Sequence, residues 1–177
     1  DTGTVEHRPA FPGTDWHLGI DGDGGPATVD PGNPLRAYGT DNGGFILTSD
    51  AGATWDSSGH GLPGGVSGTL VDPNNSAVVY VASGAQLFQS TDTAGTFTSI
   101  KTFPAGISRM GMVQIDSNTL WVGLSNGTVQ VTGNASAGAS ATWTSHAVTG
   151  APSGQSITGL AIDPLNTTQV VVVYPGF

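Results

Sequence analysis

The chain has 177 residues, enough for one domain with a hydrophobic core, and thirteen acids against four basic residues (Arg8, Arg36, Lys101 and Arg109) give a net charge of −9. That balance excludes the basic footprint of a nucleic-acid binder and a polybasic membrane patch. Zero cysteines rule out a disulfide framework, and the absence of any run of 18 apolar residues rules out membrane insertion by a helix. Scarce lysine beside abundant Gly, Ser, Thr and Asn points by composition to a secreted bacterial protein, extracellular or periplasmic. The first residue is Asp1 rather than Met, as expected of a mature or trimmed chain.

In chain order, residues 1–24 contain Trp16 and read as a segment supplying an outer strand to a neighbouring unit. From residue 25 one pattern recurs. Residues 37–55 and 79–97 are variants of it, and residues 120–132 are a third copy that reaches Trp143 after a longer turn. Each unit opens on a hydrophobic-Asp step at Asp30, Asp72, Asp116 and Asp163, spaced 42, 44 and 47 residues apart. A period of roughly 40–45 residues is that of a four-stranded propeller blade. In the second unit the strands read as 68–71, 77–82, 86–90 and 97–101, each bounded by Gly, Pro, Asn or Asp. No window carries a helical stripe, so no helix longer than a turn is expected.

The expected fold is all-β: propeller blades of four antiparallel strands, three complete repeats plus a partial fourth. The repeats fall at 25–64, 65–106, 107–152 and 153–177, forming one propeller or a segment of a larger one.

Thr48-Ser49-Asp50-Ala51-Gly52-Ala53-Thr54-Trp55 fits [ST]-x-D-x-G-x-[ST]-W, and residues 90–97 fit with Ala94 for Gly and Phe97 for Trp. This resembles the Asp-box, or BNR repeat, of sialidase-like, sortilin-like and xyloglucanase-like propellers. The resemblance implies that Thr48, Asp50, Gly52, Trp55, Ser90, Asp92, Phe97 and Trp143 are structural and lie on the blade rim. An Asp side chain accepts hydrogen bonds from its own tight turn, Gly supplies a backbone conformation unfavourable to other residues, and the aromatic ring packs between sheets. The third unit lacks both the Asp and the Gly, so its turn must be held differently.

Catalysis has few places to reside. The Phe-Arg-Ile-Pro signature of sialidase-like propellers is missing, and Glu6 is the single glutamate. Arg36 and Arg109 read as surface decoration. Xyloglucanase-like enzymes carry a catalytic carboxylate in a Tyr-x-x-Thr-Asp-x-Gly-Gly context, which Tyr38-Gly39-Thr40-Asp41-Asn42-Gly43-Gly44 matches, making Asp41 the candidate acid or base. Glycoside hydrolysis needs a second carboxyl, and no other acid sits in a matching motif. Asp21-Gly22-Asp23-Gly24-Gly25 lacks the ligand pattern of an EF-hand and reads as a turn. His7, His17, His60 and His146 have no metal-ligand spacing, and neither a metal nor a cofactor is expected.

Three functions fit. The first is a non-catalytic binding or scaffold module contacting a glycan or a protein. The second is part of a secreted glycoside hydrolase using Asp41. The third is a structural subunit of a larger extracellular or membrane-associated assembly. In each, a further protein chain or missing blades would complete the ring, because an open piece exposes strand edges and apolar faces.

Overall fold

The computed structural model describes residues 4–6, 17–152 and 154–176. His7, Arg8 and Trp16 lie outside them. Strands β1 (Thr4–Glu6) and β2 (His17–Ile20) pair with each other. The first propeller sheet follows, as β3 (Thr28–Val29), β4 (Ala37–Asp41) and β5 (Gly44–Thr48), with a lone bridge from Leu47 to Asp56 in the fourth-strand place. The second is β6 (Val66–Asp72), β7 (Asn75–Ser83), β8 (Gln86–Ser90) and β9 (Thr98–Thr102). The third is β10 (Ile107–Val113), β11 (Asp116–Leu124), β12 (Val129–Thr132) and β13 (Thr144–His146). The fourth holds two strands, β14 (Gly159–Asp163) and β15 (Asn166–Val173). All pairings are antiparallel, and the architecture is all-β with blades of propeller type.

The repeat carries through to register. Gly39 faces Ile46 in the first sheet, and Val81 faces Phe88 at the same place in the second. Strand β7 is buried without interruption from Val79 to Ser83, although an open sheet would show alternation. The reason is that both faces of this sheet are covered. Tyr38 and Phe45 of the first sheet pack with Val66, Val71, Val79, Val81 and Phe88 of the second. On the other face Tyr80, Ala82 and Leu87 pack with Leu120, Val122 and Leu124 of the third. Each such fully buried side chain contributes roughly 1.5–3 kcal/mol. The fourth sheet closes onto Gly111, where an added Cβ would crowd Leu160 and Ile162, so the missing side chain sets how near the sheets approach. By strand alternation, Val171 and Val173 point the other way and are 60% and 53% exposed.

Ala135–Ser140 is a pair of short 3-10 turns that meet at a kink at Gly138, neither of them longer than a turn. It absorbs the extra length of the third repeat and buries Ala135 in the core. Arg36 is no surface decoration: its guanidinium lies 3.2 Å from the carboxylate of fully buried Asp30. Ser76 of the second sheet donates to that same carboxylate, so the charge pair ties two sheets together.

Candidate functional site

The two ends of each sheet do different work. At one end lie the turns that follow the third strand. In the first sheet, Asp50 Oδ1 accepts from the Thr48 hydroxyl (2.8 Å) and the Thr54 N–H (2.9 Å), and Oδ2 accepts from the Thr54 hydroxyl (2.7 Å). The second repeats this around Asp92, with Ser90 (2.7 Å) and both Thr96 donors (2.9 and 2.8 Å). Donors aimed at a carboxylate favour its charged form. The Thr54 N–H chiefly holds Asp50 down to about 2, and the Ser90 hydroxyl chiefly does the same for Asp92. Gly52 N–H and Ala94 N–H each donate to the hydroxyl that starts the turn, both at 2.9 Å. Ala94 does so at φ +67° while fully buried, so this conformation is not reserved for glycine.

The third turn is held by a residue the sequence pattern missed. Asn134 Oδ1 accepts from the Thr132 hydroxyl (2.8 Å), the Thr142 N–H (2.9 Å) and the Thr142 hydroxyl (3.2 Å). An amide oxygen here replaces the carboxylate, across a longer loop. The available signal was the hydroxyl-x-Asn spacing at 132–134 and a Thr directly before Trp143. Trp55, Phe97 and Trp143 are all half-buried. Phe97 meets Phe45 of the preceding sheet edge-on at 5.2 Å, and Trp143 meets Phe103 in the same way at 5.0 Å.

At the opposite end lie the hairpins between second and third strands. The second strand of successive sheets ends on Asp41, Ser83 and Leu124. Leu124 is core, and Ser83 spends its hydroxyl on Gly64 O. Asp41 has no such structural duty. Ten aspartates lie among the described residues. Seven accept a backbone N–H from their own turn, namely Asp30, Asp50, Asp56, Asp72, Asp92, Asp116 and Asp163. The other three are Asp21, Asp23 and Asp41, and the segment that carries the first two lies against the end of the strand that carries the third. The 21–25 segment runs antiparallel to the end of β4, with Gly24 bridging Asp41. Asn42 N–H donates to Asp23 O (3.0 Å), and Asp23 N–H donates to the Asn42 amide oxygen (3.2 Å). Gly22, at φ +131°, presses against the Asp41 carboxylate so closely that a side chain there would collide with it. Asn42 Nδ2 donates to Asp41 Oδ1 at 3.0 Å and is its sole side-chain donor among the described residues. The site is therefore a half-buried carboxylate fixed by one amide against the 21–25 segment, whose two acids are exposed. Among the described residues no cluster of three or more His, Asp or Glu could hold a metal ion, and no helix is long and apolar enough to cross a membrane.

No protein-family profile matches the chain. It is 33% identical over 111 residues to a xyloglucanase of Hypocrea jecorina (strain QM6a), a match covering 51% of this chain and 13% of that protein. Among solved structures it resembles an ancestral GH74 enzyme, with TM-score 0.71 and 18% identity over 85% of this chain and 22% of that one. The GH74 xyloglucanase from Xanthomonas campestris gives 0.66 and 14%, covering 84% of this chain and 26% of that one. YCF48 bound to a peptide gives 0.59 and 10%, covering 80% and 45%. These likenesses show the propeller fold, and the chain spans only a minor part of each of these proteins.

Proposed function

We propose that this chain is a propeller segment of a secreted glycoside hydrolase of xyloglucanase type, in which Asp41 is one of the two catalytic carboxyls. The observation that carries this is the division of labour among the aspartates: seven hold turns, and Asp41 stands at a hairpin end with no turn to hold. The xyloglucanase relative supports the substrate class. In an inverting reaction one carboxyl protonates the leaving glycosidic oxygen while the other takes a proton from the attacking water, across roughly 6.5–9.5 Å. Asp41 fills one role, and Asn42 and Gly22 fix its orientation. The second carboxyl comes from another part of the longer protein. The turns around Asp50 and Asp92 are Asp-boxes in this reading, with the Asn134 turn as a variant. Further blades cover the apolar outer face of the fourth sheet, and the glycan lies across the Asp41 end.

The test uses the intact natural gene product that contains this chain. It should release reducing sugar from xyloglucan, and Asp41→Asn should reduce kcat by at least about 10²-fold, the lower range for a general acid or base, with unchanged melting. An unchanged rate in Asp41→Asn overturns the proposal. A non-catalytic scaffold is the second reading, favoured by the likeness to YCF48, of which this chain covers a larger share. Absence of hydrolysis in the intact product, with retained glycan or peptide binding, would establish it instead.

A further inference from the structure

The repeat offers an internal control for every inter-sheet contact, and one contact present between the first and second sheets is missing between the second and third. Asp30 and Asp72 are equivalent, 42 residues apart, as are Tyr38 and Tyr80. Both carboxylates accept an N–H two residues on, from Gly32 and from Asn74, each at 2.8 Å. Asp30 then receives the Arg36 guanidinium on Oδ2 at 3.2 Å. The residue at that place in the second sheet is Val78. Asp72, 8% exposed, has no cation, and no hydrogen bond reaches its Oδ2 among the described residues. In the third sheet the corresponding Asp116 Oδ2 is satisfied by the Thr119 hydroxyl. Asp163 of the fourth sheet also has no hydrogen bond on Oδ2 among the described residues but is only half-buried, so Asp72 is the buried one left unpaired.

The space that Arg36 fills in the first case is open in the second. A cleft of about 240 Å³ runs between the sheets, lined by Asp72, Val78, Tyr80 and Gln89 on one side and by Ser117 and Asn118 on the other. It is smaller than the roughly 300–1,000 Å³ of drug-sized sites and matches a side-chain-sized group. Gln89 stands where the first sheet has Leu47, and its Nε2 donates to the Tyr80 hydroxyl at 3.2 Å. The polar wall is therefore built up where the cation has been removed. Burial pushes the Tyr80 phenol up to about 12, with the Asp72 charge acting in the same direction, so the hydroxyl stays neutral and the cleft keeps a single negative charge.

We infer that this cleft binds an external guanidinium group, which takes the place beside Asp72 and Tyr80 that Arg36 takes beside Asp30 and Tyr38. The group belongs either to an arginine side chain of a partner polypeptide or to a small free guanidino compound. A planar, always-charged fork suits a carboxylate with one oxygen unpaired, and the net charge of −9 favours its approach. The site lies between the second and third sheets, and the inference stands whether or not Asp41 is catalytic.

The test is a titration followed by ¹H–¹⁵N NMR. The probes are methylguanidinium, an acetylated Gly-Gly-Arg-Gly-Gly peptide, and the same peptide with neutral, isosteric citrulline for arginine. Saturable shifts are expected at Asn75, Tyr80, Gln89 and Asn118 with the two guanidinium probes and not with citrulline. Tighter binding of the peptide than of methylguanidinium assigns the group to a polypeptide; equal binding assigns it to a small compound. Asp72→Asn keeps an acceptor for the Asn74 N–H and should weaken binding at least tenfold. Val78→Arg should abolish binding by restoring the internal cation, with melting unchanged or raised. Equal shifts with citrulline, binding unaffected in Asp72→Asn, or no saturable shift with any probe would overturn the inference.

Discussion

Asn134 gives the sharpest test of how these blades are held. Its amide oxygen serves three donors, of which the Thr132 hydroxyl is buried at 1% exposure while both Thr142 donors face solvent. In Asn134→Ala, water replaces the oxygen for Thr142 but not for Thr132. The loss is then comparable to a missing cap with one orphaned buried donor, about 1–2 kcal/mol. For a chain of this size that is a fall in Tm of about 2–8 °C, read by circular dichroism at neutral pH. Asn134→Asp keeps the geometry and makes the bonds charge-assisted, as at Asp50 and Asp92, so it should melt at or above the parent. If Asn134→Ala melts within about a degree of the parent, the loop is held elsewhere, for example by the bond from Ser136 N–H to Asn118, and the equivalence of the three turns fails.

The two carboxylate turns make stability depend on acid. Asp50 and Asp92 titrate at about 2, below the ordinary carboxylate range, so their contribution is present above pH ~4 and disappears as pH falls through about 2. Asp50→Asn should flatten the acid-unfolding curve in that window while leaving any ligand binding of the folded protein intact; an unchanged curve would refute the linkage. Phe97→Ala and Trp143→Ala each remove one ring of an edge-to-face pair between sheets. Half-burial places the cost near the lower end for aromatic truncation, roughly 2–4 kcal/mol in denaturant titration, and losses under about 0.5 kcal/mol would remove these rings from the packing account.

The fold was legible because a blade repeats its turn chemistry. The Asp-Pro steps and the spacing from Thr48 to Trp55 placed every strand of the second sheet within about two residues of where it lies. The sequence was silent wherever one residue type substitutes for another in the same hydrogen-bonding role. Asn134 stands in for an aspartate across a longer loop, so a pattern anchored on Asp and Gly passes over it. Ala94 occupies a left-handed position usually left to glycine, because burial and the Ser90 bond fix it there. Arg36 looked like a surface cation because its partner Asp30 was read only as a turn residue; the fold buries that carboxylate fully and pairs it with the guanidinium. Asp41 was visible as a motif, but the approach of residues 21–25 depends on pairing to the end of β4, which no local pattern announces.

The repeat also separates stability from function more cleanly than burial does. A residue maintained in the same role in successive sheets, such as Asp50, Asp92 and Asn134, serves what every blade needs, which is a closed turn. A residue whose equivalents do different things serves something local. Asp41 is matched by a serine that bonds a neighbouring loop and by a leucine in the core, so the blade does not require a carboxylate there. A carboxyl group on a half-buried hairpin end, against a glycine where a side chain would collide with it, contributes little to packing. In the proposed reading it serves as an oriented acceptor or proton-transfer group at that end of the propeller. The same comparison marks Asp72, a buried carboxylate with one oxygen unpaired and no internal cation among the described residues. The two sites lie at opposite ends of the sheets, so a ligand at either one can be bound without displacing the other.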